Sequence, residues 1–84
     1  MNPRVKEVTP LKDYNLLLEF TNRELRIFDM SPYLDKGIFR QLRDKSYFNS
    51  VRICGGSIAW PEEQDLCPDT LYEKSIPVDE RKTA

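Results

Sequence analysis

Between Tyr14 and Ile27 the chain alternates with a period of two, and no other stretch narrows its fold as much. Tyr14, Leu16, Leu18 and Phe20 fall on one side of an extended strand, while Asn15 and Glu19 share the other side with Leu17. After Thr21-Asn22-Arg23 the alternation resumes in Glu24-Leu25-Arg26-Ile27-Phe28, with Leu25 and Ile27 taking the apolar positions. Asn22 tolerates positive φ, so the link reads as a hairpin turn. An antiparallel hairpin is expected here, with Leu25 and Ile27 turned toward the core.

The rest of the chain supplies the elements such a hairpin needs for cover. Val5 and Val8 lie in a short extended segment that ends at Thr9-Pro10. Ser31 stands at an N-cap position before Pro32, and Tyr33-Leu34 follow as one helical turn. Ile38, Phe39 and Leu42 are spaced to share one face of a short helix, and Asp44-Lys45-Ser46 links it to the next strand. Tyr47 to Ile53 has strand chemistry, Gly55-Gly56 signals a two-residue turn, and Ser57 to Trp60 returns until Pro61 stops it. Pro68 can open a last helical turn that folds Leu71 and Tyr72 back on the sheet. The predicted fold is α+β: a small antiparallel sheet of about four or five strands with short helices packed on one face. The expected core is Val8, Leu16, Leu18, Phe20, Leu25, Ile27, Leu34, Phe39, Leu42, Phe48, Val51, Ile53, Ile58, Trp60 and Leu71. A single domain over residues 1–75 is expected. Residues 76–84 hold little apolar matter and read as a flexible tail.

Eighty-four residues make one small domain, which buries roughly 60–65% of its unfolded surface, so stability should be modest. With 13 basic and 14 acidic residues the net charge is -1, and no global field favours nucleic acid or an anionic membrane. No apolar run approaches the roughly 18 residues that span a bilayer. Met1-Asn2-Pro3-Arg4-Val5-Lys6 lacks the apolar segment of a secretory signal. Cys54 and Cys67 match no metal or redox spacing and read as two reduced thiols, so a cytoplasmic, bacterial-type protein is the expectation.

The order of these pieces resembles the bacterial and phage family called domain of unknown function 2442, over roughly residues 4 to 73. The matching residues run from Val5-Lys6-Glu7-Val8-Thr9-Pro10 and Tyr14 through Phe20, by Phe28-Asp29, Gly37 through Leu42 and Tyr47 through Val51, to Ile58-Ala59-Trp60-Pro61 and Asp65 through Tyr72. The Trp60-Pro61 and Pro68-Asp69-Thr70-Leu71-Tyr72 elements are together fairly specific. The chain carries Asn22-Arg23 where Asn-Gly is common, and Gln64 where a glycine is common. The resemblance implies a small α+β domain with an antiparallel sheet and no established activity. It also implies genes that often neighbour another small protein in a toxin–antitoxin-like layout, with some relatives fused to a helix-turn-helix.

The chain has no histidine, which removes the commonest general base and the commonest metal ligand. Catalytic, metal and cofactor residues are therefore expected to be none, and the protein is not read as an enzyme. Glu62, Glu63 and Asp65 lie in a run from Trp60 to Tyr72 that has no basic residue; Asp65 and Asp69 read first as turn and cap residues. As a functional reading, Glu62, Glu63 and Asp65 form an acidic rim facing a protein partner. Arg40, Arg43, Lys45 and Arg52, interleaved with Tyr33, Phe39 and Tyr47, are the alternative: a phosphate-contacting face with stacking rings. Trp60 beside proline reads as a core lid rather than a stacking platform. The functional expectation is a non-catalytic protein-interaction module, with a protein partner or a second copy bound, no membrane, and a nucleic-acid-associated regulator as the competing reading.

Overall fold

The computed structural model describes residues 2–62 and 64–78. In chain order its strands are β1 (Val5–Pro10), β2 (Asn15–Phe20), β3 (Leu25–Asp29), β4 (Arg52–Cys54), β5 (Ser57–Ala59), β6 (Asp65–Leu66) and β7 (Ile76–Pro77). Its helices are α1 (Lys45–Phe48) and α2 (Pro68–Lys74), with 3₁₀ segments at Lys12–Tyr14, Ser31–Tyr33 and Gly37–Arg43. The small antiparallel α+β architecture matches the sequence pattern. The strands divide over two sheets, one ordered β1-β2-β3-β7 and the other β4-β5-β6. A hydrogen bond from the Val5 N–H to the Gly56 carbonyl, 2.8 Å, ties the first sheet to the turn of the second.

The hairpin of β2 and β3 forms, but its second strand is turned over relative to expectation. Phe20 donates its N–H to the Glu24 carbonyl, and Arg23 donates its own to the Phe20 carbonyl. The loop is therefore three residues long, and Arg23, not Asn22, takes the positive φ, at 74°. A loop of that length sets Phe20 opposite Glu24, and the pairing then runs Leu18 opposite Arg26 and Leu16 opposite Phe28. Directly paired residues share a face, so Glu24, Arg26 and Phe28 point with the buried Phe20, Leu18 and Leu16. Leu25 and Ile27 are only half-buried, on the opposite face beside Leu17.

The middle of the chain is more helical than expected. Asp44 accepts a hydrogen bond from the Ser46 N–H, 3.0 Å, and so caps α1. Tyr47 and Phe48 belong to that helix, and the strand expected over Tyr47 to Ile53 begins only at Arg52. At Ser31 the N-cap position falls one step earlier, on Met30, which has no capping side chain, and Asp29 accepts from both the Ser31 N–H and its hydroxyl. The Gly37–Arg43 segment is 3₁₀, with three residues per turn, so Phe39 and Leu42 align. Ile38 falls off that stripe and is 64% exposed. Ile53, on the edge strand β4, is also exposed.

The second hairpin follows its glycines. Gly55 and Gly56 have φ of 58° and 81°, and Cys54 pairs with Ser57 across them, as a two-residue turn requires. Trp60 is fully buried, and its Nε1–H donates to the Phe48 carbonyl at 2.9 Å. Around it lie Leu16, Leu18, Phe20, Leu34, Leu42, Phe48, Ile58 and Leu71, joined by Val5, Phe28 and Met30, which the sequence pattern did not mark. Val8, Phe39 and Val51 are partly buried against that core. After α2 the chain adds β7 to β3 instead of leaving the sheet at residue 75. The remainder of the expected tail, 79–84, lies outside the described residues.

Candidate functional site

The acidic segment after Trp60 is organised from within by Gln64, a buried residue that sequence reading treated only as a missing glycine. Its Nε2 donates to the Ile38 carbonyl at 3.0 Å and to Gln41 Oε1 at 3.1 Å, and its Oε1 accepts from the Tyr47 hydroxyl at 2.6 Å. Its backbone carbonyl accepts from the Trp60 N–H at 2.9 Å. Burial of an amide is tolerated because these partners satisfy it. Glu62 joins the same network, accepting from Gln41 Nε2 at 2.6 Å while its N–H donates to the Tyr47 hydroxyl oxygen. Of the acidic rim, Glu62 is thus tied back to Gln41, Asp65 is exposed on β6, and Glu63 lies outside the described residues.

The basic residues are spread out. Arg40 and Arg43 are three apart on the 3₁₀ segment, so they lie on one side of it. Arg43 is ion-paired to Asp35, both exposed, which contributes little to stability. Lys45 opens α1 and borders a crevice of about 660 Å³ shared with Lys12, Tyr14 and Phe48. Arg52 is on β4, in the other sheet. The aromatic side chains expected among them are occupied by packing. Tyr33 stacks on Phe28 at 5.7 Å and meets Phe39 edge-on at 6.2 Å, and Tyr47 holds Gln64.

Asp13 and Tyr14 both have positive φ, 58° and 61°, a conformation that costs a non-glycine residue about 1–2 kcal/mol. Tertiary bonds hold it. The Tyr14 hydroxyl donates to the Arg43 carbonyl at 2.5 Å, and the Tyr14 carbonyl accepts from the Met30 N–H at 2.9 Å. Cys54 and Cys67 are free, exposed thiols. In the register of β4, β5 and β6 they flank Ser57 from either side, two strand spacings or roughly 9–10 Å apart, beyond disulfide reach. Among the described residues no group of three or more Cys, Asp and Glu is close enough to hold a metal ion, and no helix is long and apolar enough to cross a membrane.

The inverted strand β3 creates the two most distinctive surfaces. On the inner face it brings Glu24 and Arg26 under α2. Arg26 donates through Nε to Ser75 Oγ at 2.7 Å and through Nη2 to the Ser75 carbonyl at 2.8 Å, pairs with Glu24 at 3.1 Å, and lies over the Tyr72 ring at 4.4 Å. The Tyr72 hydroxyl donates to Glu24. That bond, helped by Asn22 and Arg26, holds the Glu24 carboxyl below its ordinary value of 4.5, and it raises Tyr72 above 10.0. These contacts make the cluster a latch joining α2 and Ser75 to the sheet. On the outer face the register aligns Thr9, Leu17, Ile27 and Ile76 in one row, with Leu25 and Val78 beside them. Ile76 is 70% exposed, while Leu17, Leu25, Ile27 and Val78 are half-buried. The three-residue spacing of Thr21-Asn22-Arg23 was the signal in the sequence that could have revealed both surfaces.

A four-stranded antiparallel sheet closed by a C-terminal strand and joined to a small three-stranded sheet defines a small α+β domain. The model of the family described as "Protein of unknown function (DUF2442)" matches residues 5–77, and the chain belongs to that family. No curated protein and no solved structure matches it significantly.

Proposed function

We propose that the chain is a non-catalytic protein-interaction module that works through the outer face of its four-stranded sheet. The observation that carries this reading is the row Leu17, Ile27 and Ile76 with Leu25 and Val78, set where a two-layer antiparallel sheet ordinarily shows polar residues to water. The finer form of the proposal is the small partner in a bacterial two-gene system, cytoplasmic and without cofactor. The border at Glu62, Glu63 and Asp65 is then a separate surface that steers a basic partner. Affinity capture of the tagged chain from its native host, read by mass spectrometry, tests it. A stoichiometric protein retained by the parent and lost on Ile27→Lys or on charge reversal at Glu62 and Asp65 supports the reading. Capture of no protein, together with salt-sensitive binding to DNA or RNA that disappears on Arg40→Ala and Arg43→Ala, would transfer the function to nucleic acid.

A further inference from the structure

The crevice between the 3₁₀ turn at Lys12–Tyr14 and α1 belongs to neither the outer sheet face nor the acidic border. We propose that it binds a small monocarboxylate, a single acid group carried on an aromatic or branched aliphatic body.

Its volume of about 660 Å³ lies within the roughly 300–1,000 Å³ of small-molecule sites. Leu11, Tyr14 and Phe48 contribute to its apolar part, and Lys12, Asp13 and Lys45 to its polar part. Leu11 is 37% exposed, whereas Phe48 is 2% exposed and meets the Tyr14 ring edge-on at 5.3 Å. A carbon body seated there removes Leu11 and the half-buried Tyr14 from water, which is the apolar part of the affinity.

The wall formed by the turn is ordered in advance. Asp13 and Tyr14 are consecutive left-handed residues, a conformation that aspartate tolerates and that is an outlier for tyrosine. Such backbone persists only where its surroundings over-determine it, and it clusters at ligand sites. Tyr14 is fixed at both ends, its hydroxyl donating to the Arg43 carbonyl and its own carbonyl accepting from the Met30 N–H. Asn15 closes the turn: its Nδ2 donates to the Lys12 carbonyl at 3.1 Å, and its carbonyl accepts from the Leu11 N–H at 2.7 Å. Binding against this turn therefore carries little ordering cost.

Charge selects the class of ligand. Lys12 and Lys45 border the crevice together with Asp13, two positive charges against one negative, which leaves one positive charge. The adjoining charges are engaged elsewhere, since Arg43 pairs with Asp35 and Asp44 caps α1. A monoanion matches that excess. A doubly charged phosphate overfills it beside Asp13, a cation is repelled, and a neutral molecule gains nothing from the ammonium groups. Both lysines are exposed, so the affinity is modest and falls as salt is added.

Amide chemical shifts of the full chain, followed as phenylacetate or 4-methylpentanoate is added at low salt, test the proposal. The expected result is saturable shifts at residues 11–15 and 45–49, with a Kd on the order of 1 mM. Phenylacetamide, which has the same body without the charge, should bind at least about fivefold more weakly. Lys12→Gln and Lys45→Gln should each weaken phenylacetate by about threefold or more. Asp13→Asn should tighten it by about as much, because asparagine keeps the left-handed conformation and removes the repulsion. Lys74→Gln, on α2 and outside the crevice, should bind like the parent. Lys12, Asp13 and Lys45 are exposed, so these variants fold, which unchanged far-ultraviolet circular dichroism verifies. No saturable shift with either acid up to about 20 mM, or shifts centred outside the two segments, overturns the site. Equal affinity for phenylacetamide, tighter binding of inorganic phosphate, or a Kd unmoved by both lysine substitutions overturns the assignment of its ligand.

Discussion

The two faces of the four-stranded sheet differ in a way that runs against composition. The inner face, packed beneath α2, carries the charged pair Glu24 and Arg26, while the outer face carries Leu17, Leu25 and Ile27. A sheet sorted by hydropathy alone would have exchanged them. The inner face is stable because every polar group on it has a partner: Arg26 is only 12% exposed in its side chain, yet it meets Ser75 twice, Glu24 and the Tyr72 ring. The outer face has no such closure. What the difference teaches is that loop length outranks hydropathy in setting strand parity, since a three-residue loop leaves β3 one register available.

The largest expected effect separates the faces by truncation. Leu18→Ala, on the fully buried inner face, should cost about 2–5 kcal/mol in urea unfolding, and Leu17→Ala, one residue away on the outer face, under about 1 kcal/mol. Equal costs would show that the outer face is covered within the folded monomer. Next in size is the latch. Arg26→Ala should destabilise by about 2 kcal/mol, because it removes bonds to Ser75 and packing against Tyr72 together. An effect no larger than that of a surface arginine would make the inner polar cluster incidental.

The same latch predicts a pH profile. Glu24 titrates below its ordinary 4.5 in the folded chain, because Tyr72, Asn22 and Arg26 favour its charged form. Its contribution is therefore present above that value and is lost as pH falls through the lowered one. Tyr72 is raised above 10.0 by its bond to Glu24, so its contribution is present below 10.0 and is lost as pH rises through the higher value. Denaturation midpoints measured across pH should show both limbs in the parent. Glu24→Gln should flatten the acid limb, and Tyr72→Phe should remove the alkaline one. An unchanged acid limb in Glu24→Gln would assign it to other carboxylates. The smallest effect is at the loop that sets the parity. Arg23→Gly relieves a left-handed residue and should gain up to about 1 kcal/mol without altering the register. A chemical-shift change spreading through β3 would instead mean that Arg23 helps choose which face is inner.

The sequence by itself determined the α+β class, the β2 strand with Leu16, Leu18 and Phe20 inward, the glycine turn at Gly55-Gly56, the helix opened by Pro68 and the burial of Trp60. These are local matters of period, backbone freedom and side-chain size. Asp44 as a cap was also local, but it was hidden because a short polar residue fits a turn as readily as a cap. Of the candidate site, the acidic residues and the basic ones could be named, yet their environment could not, since Gln64 is buried only by contacts from residues 38, 41 and 47. Tertiary structure alone decided that Arg26 lies inside and Ile27 outside. An arginine can be placed on a core face only when Ser75 and Tyr72, about fifty residues further along the chain, are there to receive it, and no pattern within the strand itself carries that information.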